Sequence, residues 1–187
     1  MVYSMRIIVR QSLGPVMLAV SLSALGGSIL NSRLQALLCL PVILMMAPPL
    51  NDMAGDFGCI IGSRLSTALH LGLIRPKIIQ RSKNLRDDVI ALMITGACSS
   101  TYLGIVVHVI SFITGLPSVD FLRLIGIAFI SGMVEVVILT IFSIIASILS
   151  YRNNIDPCNV TISLATAVAD LTAAASLILA SKLLGAI

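Results

Sequence analysis

Long apolar runs separated by short polar segments dominate the sequence. The runs cover about residues 12–30, 34–74, 89–113, 121–149 and 157–184. A helix of about 20 apolar residues crosses the hydrocarbon core of a bilayer, so each run is long enough to span it. The pattern predicts an all-α integral membrane protein with five transmembrane helices in a single domain over residues 1–187. A cleaved signal peptide is the alternative for the first run.

The second run is too long for one straight span. As a single helix it would measure about 60 Å, twice the hydrocarbon thickness. Pro48 and Pro49 remove two helix donors and Asn51 follows them, so we expect the helix to break near residues 48–51. Irregular backbone at membrane depth is tolerated only beside protein or a water-filled cavity, which makes the break a pointer to a transport site. A re-entrant or interfacial segment followed by a plain span is the alternative.

The basic residues predict an orientation in the membrane. With a cytoplasmic N-terminus, eight of them lie inside: Arg6, Arg10, Arg75, Lys77, Arg81, Lys83, Arg86 and Arg152. Three lie outside: Arg33, Arg123 and Lys182. Because cytoplasmic loops carry the excess of Lys and Arg, we expect the second run to cross once and the C-terminus to lie outside.

Composition excludes the soluble classes. Hydrophobic residues make up 58% of the chain and charged residues 11%, with a mean hydropathy of +1.08. A soluble domain of 187 residues has too little interior for that much apolar surface. The net charge of +4 comes from residues beside apolar runs, so no nucleic-acid partner is expected. The four cysteines form no CxxC pair and are expected to be small core residues: Cys39, Cys59, Cys98 and Cys158.

The last run carries a polar face. Five oxygen-bearing side chains lie within about 40° of Asp170 when residues are placed at 100° intervals: Asp156, Asn159, Ser163, Thr166 and Asp170 itself. Polar residues inside a span are costly and are functional candidates by default. In the alternative interpretation, the hydroxyls bond back to their own helix and Asp170 pairs with Arg64, which leaves Asp156 and Asn159 unexplained.

The second run carries a similar face. Asp56 shares one side of the helix with three further polar residues: Ser63, Thr67 and His70. The alternative is that Gly58 and Gly62 form a face for close helix packing, and the two roles are compatible.

These side chains indicate a preference for hard cations. Carboxylate, amide and hydroxyl oxygens suit Mg²⁺, which keeps several waters and contacts a protein through one or two carboxylates. No His or Cys cluster has the spacing of a soft-metal site. His70 and His108 are isolated and are interpreted as hydrogen-bonded packing residues. Glu135 is expected either to pair with Arg64 or to relay ions.

Two segments resemble a known family. The stretch PPLNDMAGDFGCIIGSRLSTALHLG at 48–72 is similar to the second-helix signature of the MgtE-type magnesium transporter membrane domain, in particular to short prokaryotic relatives of its eukaryotic solute-carrier branch. DPCN at 156–159 and LATAVAD at 164–170 resemble the family's Asp-Pro helix start and its Thr-x-x-x-Asp pore motif. The similarity extends over about residues 14–184.

The resemblance implies a five-helix unit that dimerises in parallel around a central pore. The central ion-binding carboxylate of the family corresponds to Asp170 and its Asp-Pro acid to Asp156. The polar residue of the family's Gly-Asn-x-Gly turn corresponds to Asp56, where Asp replaces Asn and adds negative charge. Few residues precede the first run, so we expect neither the cytoplasmic regulatory domains of bacterial members nor gating through them.

The leading hypothesis is a multi-pass cell-membrane channel or transporter for divalent cations, with Mg²⁺ as the transported ion and no enzymatic activity. Its expected partners are lipid and a second copy or a related half. The candidate metal residues are Asp170, Thr166, Ser163, Asn159, Asp156 and Asp56. An intramembrane aspartyl protease, with two buried acids sharing a proton, and a non-transporting membrane scaffold are the alternatives.

Overall fold

The computed structural model describes residues 5–74 and 83–186, almost entirely as helices. The helices are α1 Met5–Ser32, α2 Leu34–Cys39, α3 Pro41–His70, α4 Lys83–Thr114, α5 Phe121–Arg152 and α6 Pro157–Leu183. No strand occurs within these residues, which confirms the all-α class. Three of the basic residues used to predict the orientation lie outside the described residues: Arg75, Lys77 and Arg81.

Four segments of the described chain are long and apolar enough to cross a membrane: Ser12–Ser32, Lys83–Thr114, Phe121–Arg152 and Pro157–Leu183. They make the chain a multi-pass membrane protein. α3 has 30 residues and is also long enough, but it carries Asp52, Asp56 and Arg64 and is not one of the four. The count of five spans and their orientation therefore stay predictions.

The predicted break near residues 48–51 is wrong. α3 runs without interruption through Pro48 and Pro49, and the chain leaves helical geometry at Leu40 instead, with φ −130° and ψ 75°. Pro41 takes the first turn of α3, where its missing N–H has no helical partner in any case. Farther along, a helix that loses two hydrogen bonds still satisfies more backbone groups than an open segment would in apolar surroundings.

α6 lies at the centre of the helix arrangement and packs against α1, α3 and α5. Small residues bring α3 and α6 close together. A Cβ atom on Gly58 would lie 2.7 Å from the Ala165 Cβ, and one on Gly62 would lie 2.7 Å from the Thr161 Cγ2. These contacts confirm that Gly58 and Gly62 form a packing face, and that face fixes the position of α6 relative to α3.

The cysteines do not occupy the core as expected. Cys39 and Cys98 are exposed, Cys59 and Cys158 are half-buried, and none of the four forms a disulfide. Larger apolar side chains fill the main core cluster, including Leu37, Met46, Leu50, Leu124, Ile127 and Leu177. In a membrane protein the outer helix faces are apolar too, so hydropathy does not tell a core-facing cysteine from an outward one.

Candidate cation site

Asp170 lies in α6 where three helices meet. Its carboxylate Oδ2 accepts a hydrogen bond from the Ser23 hydroxyl of α1, and its Oδ1 accepts one from the Asn51 amide of α3. The side chain is half-buried. Both donors are neutral, so they position the carboxyl group without placing a positive charge beside it.

Local sequence explains how these helices converge. A Cβ atom on Gly26 would lie 2.8 Å from the Asp170 carbonyl oxygen, so a glycine at this position lets α1 approach the α6 backbone. Asn51 reaches Asp170 because α3 continues as a helix past Pro48. A cavity of about 420 Å³ adjoins the carboxylate, and its lining includes Ser23, Gly27, Leu30, Pro48, Asn51 and Ala174.

The hydroxyls of the α6 polar face bond to their own helix. Thr166 Oγ1 donates to the Ser163 carbonyl at 3.0 Å, and Ser163 Oγ donates to the Asn159 carbonyl at 3.2 Å. This part of the alternative interpretation is confirmed. Each hydroxyl oxygen keeps its lone pairs, so Thr166, which is exposed, and the half-buried Ser163 can still accept from the waters of a hydrated cation.

Asp156 has a structural role at the start of α6. It is the N-cap residue, and its Oδ1 accepts the Cys158 backbone N–H at 3.0 Å. The cap lies about 21 Å along the helix from Asp170, so the two acids occupy opposite ends of one polar face.

Asp56 is exposed on α3, next to Gly55. A Cβ atom on Gly55 would lie 3.4 Å from the Thr166 Cγ2, so Asp56 lies beside the contact between α3 and α6. In the described chain, however, no group of three or more His, Cys, Asp or Glu side chains is arranged to hold a metal. The three acidic candidates Asp56, Asp156 and Asp170 therefore do not form such a group within the described part of one copy.

The pairing partners suggested for Arg64 are wrong. Arg64 forms an ion pair with Asp88 at the start of α4, so it pairs with neither Asp170 nor Glu135. Glu135 instead accepts a hydrogen bond from Ser176 at 2.7 Å. Sequence spacing could not show this because both contacts join different helices.

The two histidines differ in their hydrogen bonding. His70 Nδ1 lies 2.9 Å from the Ser66 carbonyl oxygen, and its ring packs edge-on against Tyr151, which confirms a hydrogen-bonded packing residue. His108 packs against Phe121, with ring centroids 4.8 Å apart. Its Nδ1 atom is buried without a hydrogen-bond partner among the described residues, so only the packing part of that interpretation is confirmed.

Two residues at the site, Ser23 and Asn51, were missed as Asp170 partners by sequence reasoning. Ser23 is one of four serines in the first apolar run, with Ser12, Ser21 and Ser28, so nothing in the sequence singles it out. Asn51 drew attention only as part of the expected break. Their separations from Asp170, 147 and 119 residues, place them beyond any local pattern.

Comparison with known proteins identifies one family. A family model named MgtE and described as a divalent cation transporter matches residues 47–180. The matched region includes α3 from its second turn, α4, α5 and most of α6, and so contains both Asn51 and Asp170. No curated protein and no solved structure matches the chain.

Proposed function

The chain belongs to the MgtE family of divalent cation transporters, and from this premise we propose that it conducts Mg²⁺ through a pore between two copies, with the two Asp170 carboxylates on either side of the ion. MgtE is a transporter family and not an enzyme family, so the protease alternative is set aside. The whole of residues 1–187 then forms one transport domain.

The observation that carries the proposal is the state of Asp170. It lies in a membrane-spanning helix and adjoins a cavity, and the hydrogen bonds that it receives from described residues come from the neutral side chains of Ser23 and Asn51. Asp170 takes part in none of the ion pairs in the described part of the chain, which are Arg64–Asp88, Arg86–Asp87 and Arg123–Asp120. A carboxylate without an opposite charge is costly in a membrane interior. We therefore expect a cation to bind beside Asp170.

A second copy accounts for the exposed polar side chains. Asp56 and Thr166 are exposed in the single chain; Thr166 lies at the contact between α3 and α6, and Asp56 lies next to Gly55 beside it. Two copies packed through this face would cover these groups and bring their Asp170 residues together. Two carboxylates repel one another unless a divalent ion lies between them. A related half in place of the second copy would serve equally.

Mg²⁺ suits the site because all of its candidate ligands are oxygen atoms. Each Asp170 oxygen has accepted one hydrogen bond and keeps further lone-pair capacity for waters of a hydrated ion. Thr166, Ser163 and Asn159 would contact those waters, while Asp156 and Asp56 add negative charge along the path. With the N-terminus inside, Asp156 lies at the cytoplasmic end. The membrane potential supplies about 2.3 kcal/mol per charge per 100 mV.

Flux measurements test the proposal. Wild type in proteoliposomes should take up Mg²⁺ faster when an inside-negative potential is imposed, and Asp170→Ala and Asp170→Asn should abolish uptake while still inserting. Asp87→Asn is the matched control, since the Asp87 side chain is 53% exposed at the start of α4. Normal Mg²⁺ uptake by Asp170→Ala would refute the assignment. A membrane scaffold predicts no permeation by any variant.

A further inference from the structure

Glu135 is a fully buried acid that cation transport through Asp170 does not use. It lies near the middle of α5 and is 0% exposed. Its Oε1 accepts a hydrogen bond from Ser176 of α6 at 2.7 Å. Its Oε2 is also buried and has no hydrogen-bond partner among the described residues.

The contacts identified around this part of α5 are with uncharged residues. Gly132, one turn before Glu135, meets Met53 of α3 and Ser100 of α4, and Val136 packs in an apolar cluster. The titratable side chains of α3, α4 and α6 that lie closest in sequence to these contacts are not buried with Glu135. Cys59 is half-buried, and Asp170 is half-buried and bonded to Ser23. The others are exposed: Asp52, Asp56, Cys98, Tyr102 and Lys182. No ion pair identified in the described chain includes Glu135.

An ionised carboxylate is unfavourable in these surroundings. A buried charge needs an opposite charge or several hydrogen bonds, and without them the group becomes neutral instead. One serine hydroxyl does not compensate for the lost hydration. We infer that Glu135, together with Ser176, forms a proton-binding site between α5 and α6, and that the bound proton stabilises this packed arrangement of the two helices.

A metal ion fits the site less well than a proton. The carboxylate, Ser176 and the buried Ser131 hydroxyl one turn earlier supply few oxygens, whereas Mg²⁺ takes about six ligands and Ca²⁺ about six to eight. A proton needs a single oxygen.

Release of the proton would affect α6. The proton would pass to water and leave a charge on Glu135, which favours any arrangement that separates α5 from α6 and hydrates the carboxylate. Ser176 lies six residues after Asp170, about 9 Å farther along the same helix. A movement of α6 would therefore reach the cation site. This coupling rests on the proposed function, whereas the proton site itself does not.

Infrared spectroscopy of the reconstituted full chain tests the proton site without any transport. At neutral pH, wild type and the exposed-acid control Asp87→Asn should show a carbonyl band from a buried protonated carboxylic acid, and Glu135→Gln should lack it. Ser176→Ala should keep the band but shift its frequency, because one hydrogen bond is lost. This variant decides the question if Glu135→Gln does not fold. A spectrum that neither variant changes would overturn the proton site.

The pH dependence of Mg²⁺ flux tests the coupling. One proton changes a conformational equilibrium by at most about tenfold per pH unit. We expect wild type and Asp87→Asn to show such a dependence and Glu135→Gln to lose it. A profile that Glu135→Gln leaves unchanged would overturn the coupling. Wild type without flux at any pH would refute the proposed transport, while the infrared band would still report the proton.

Discussion

At the residue scale, the decisive feature is how Asp170 is held. Hydrogen bonds to a charged group contribute about 1.5–3 kcal/mol each, and Asp170 receives one from α1 and one from α3. These contacts fix the direction of the carboxylate without supplying a positive charge. An ion can then bind to a preformed group, which lowers the conformational entropy lost on binding.

Asn51→Ala should weaken transport without unfolding the chain. Removing the amide donor leaves Asp170 Oδ1 with one hydrogen bond fewer, so we expect Mg²⁺ flux to fall about tenfold or more. The measurement is uptake into proteoliposomes over a range of Mg²⁺ concentrations. Asn153→Ala is the matched control, because the Asn153 amide donates only to the Leu149 carbonyl at the exposed end of α5. Equal flux from both variants would contradict a role for Asn51.

Two substitutions at Asp156 distinguish its role as a helix cap from the effect of its negative charge. Asp156→Ala should destabilise the chain by about 1 kcal/mol through loss of the N-cap bond, whereas Asp156→Asn keeps a good cap. If the charge also attracts cations, Asp156→Asn should reduce Mg²⁺ flux while its thermal unfolding temperature stays near that of wild type. Unchanged flux in Asp156→Asn would leave Asp156 with the capping role alone.

At the element scale, the packing of α3 on α6 depends on glycines, which have no side chain to keep the two helices apart. Gly58 faces Ala165 so closely that one additional carbon atom has no space. α3 also remains a helix through two prolines, which keeps Asn51 and the packing glycines on one rigid element. The position of Asp170 relative to Asn51 follows from that continuity.

Gly58→Ala should destabilise the packed chain. Its Cβ atom would lie 2.7 Å from the Ala165 Cβ, and such overpacking costs about 1–3 kcal/mol. Thermal unfolding in detergent is the measurement. Gly14→Ala in α1 is the matched control, since a Cβ there meets nothing within 4 Å, and it should be neutral or slightly stabilising. A Gly58→Ala variant as stable as wild type would contradict a stabilising role for this close contact between α3 and α6.

At the scale of the whole molecule, polar side chains remain uncovered on one side of the chain. Thr166 and Asp56 are exposed, and among the described residues the acidic candidates Asp56, Asp156 and Asp170 do not come together as a metal-binding group. A lipid-facing surface would be apolar. The exposed polar groups therefore favour an assembly in which two units share the cation site.

Cross-linking tests this assembly. In a variant lacking the four native cysteines, none of which forms a disulfide, Thr166→Cys should be linked to its twin by a short bifunctional thiol reagent. Leu179→Cys is the control, because Leu179 is 64% exposed on a different face of α6. Linked dimers in similar yield from both variants, or from neither, would contradict a shared Thr166 face.

The sequence alone determined the membrane class, the helical fold, the family and the polar face that contains Asp170. These depend on hydropathy, helical periodicity and motifs that lie within single segments. Even so, the expected break at Pro48 was wrong, because local proline rules do not include the requirement for backbone hydrogen bonds in apolar surroundings.

Only the tertiary structure decided which side chains meet. Ser23 and Asn51 reach Asp170 across 147 and 119 residues, and Ser176 reaches Glu135 across 41. Arg64 pairs with Asp88 and not with either acid suggested for it. Such contacts depend on which helix faces pack together, and that depends on close fits such as Gly58 against Ala165. Periodicity predicts which residues share one face of a helix. Which other helix packs against that face is decided by contacts between segments far apart in the chain.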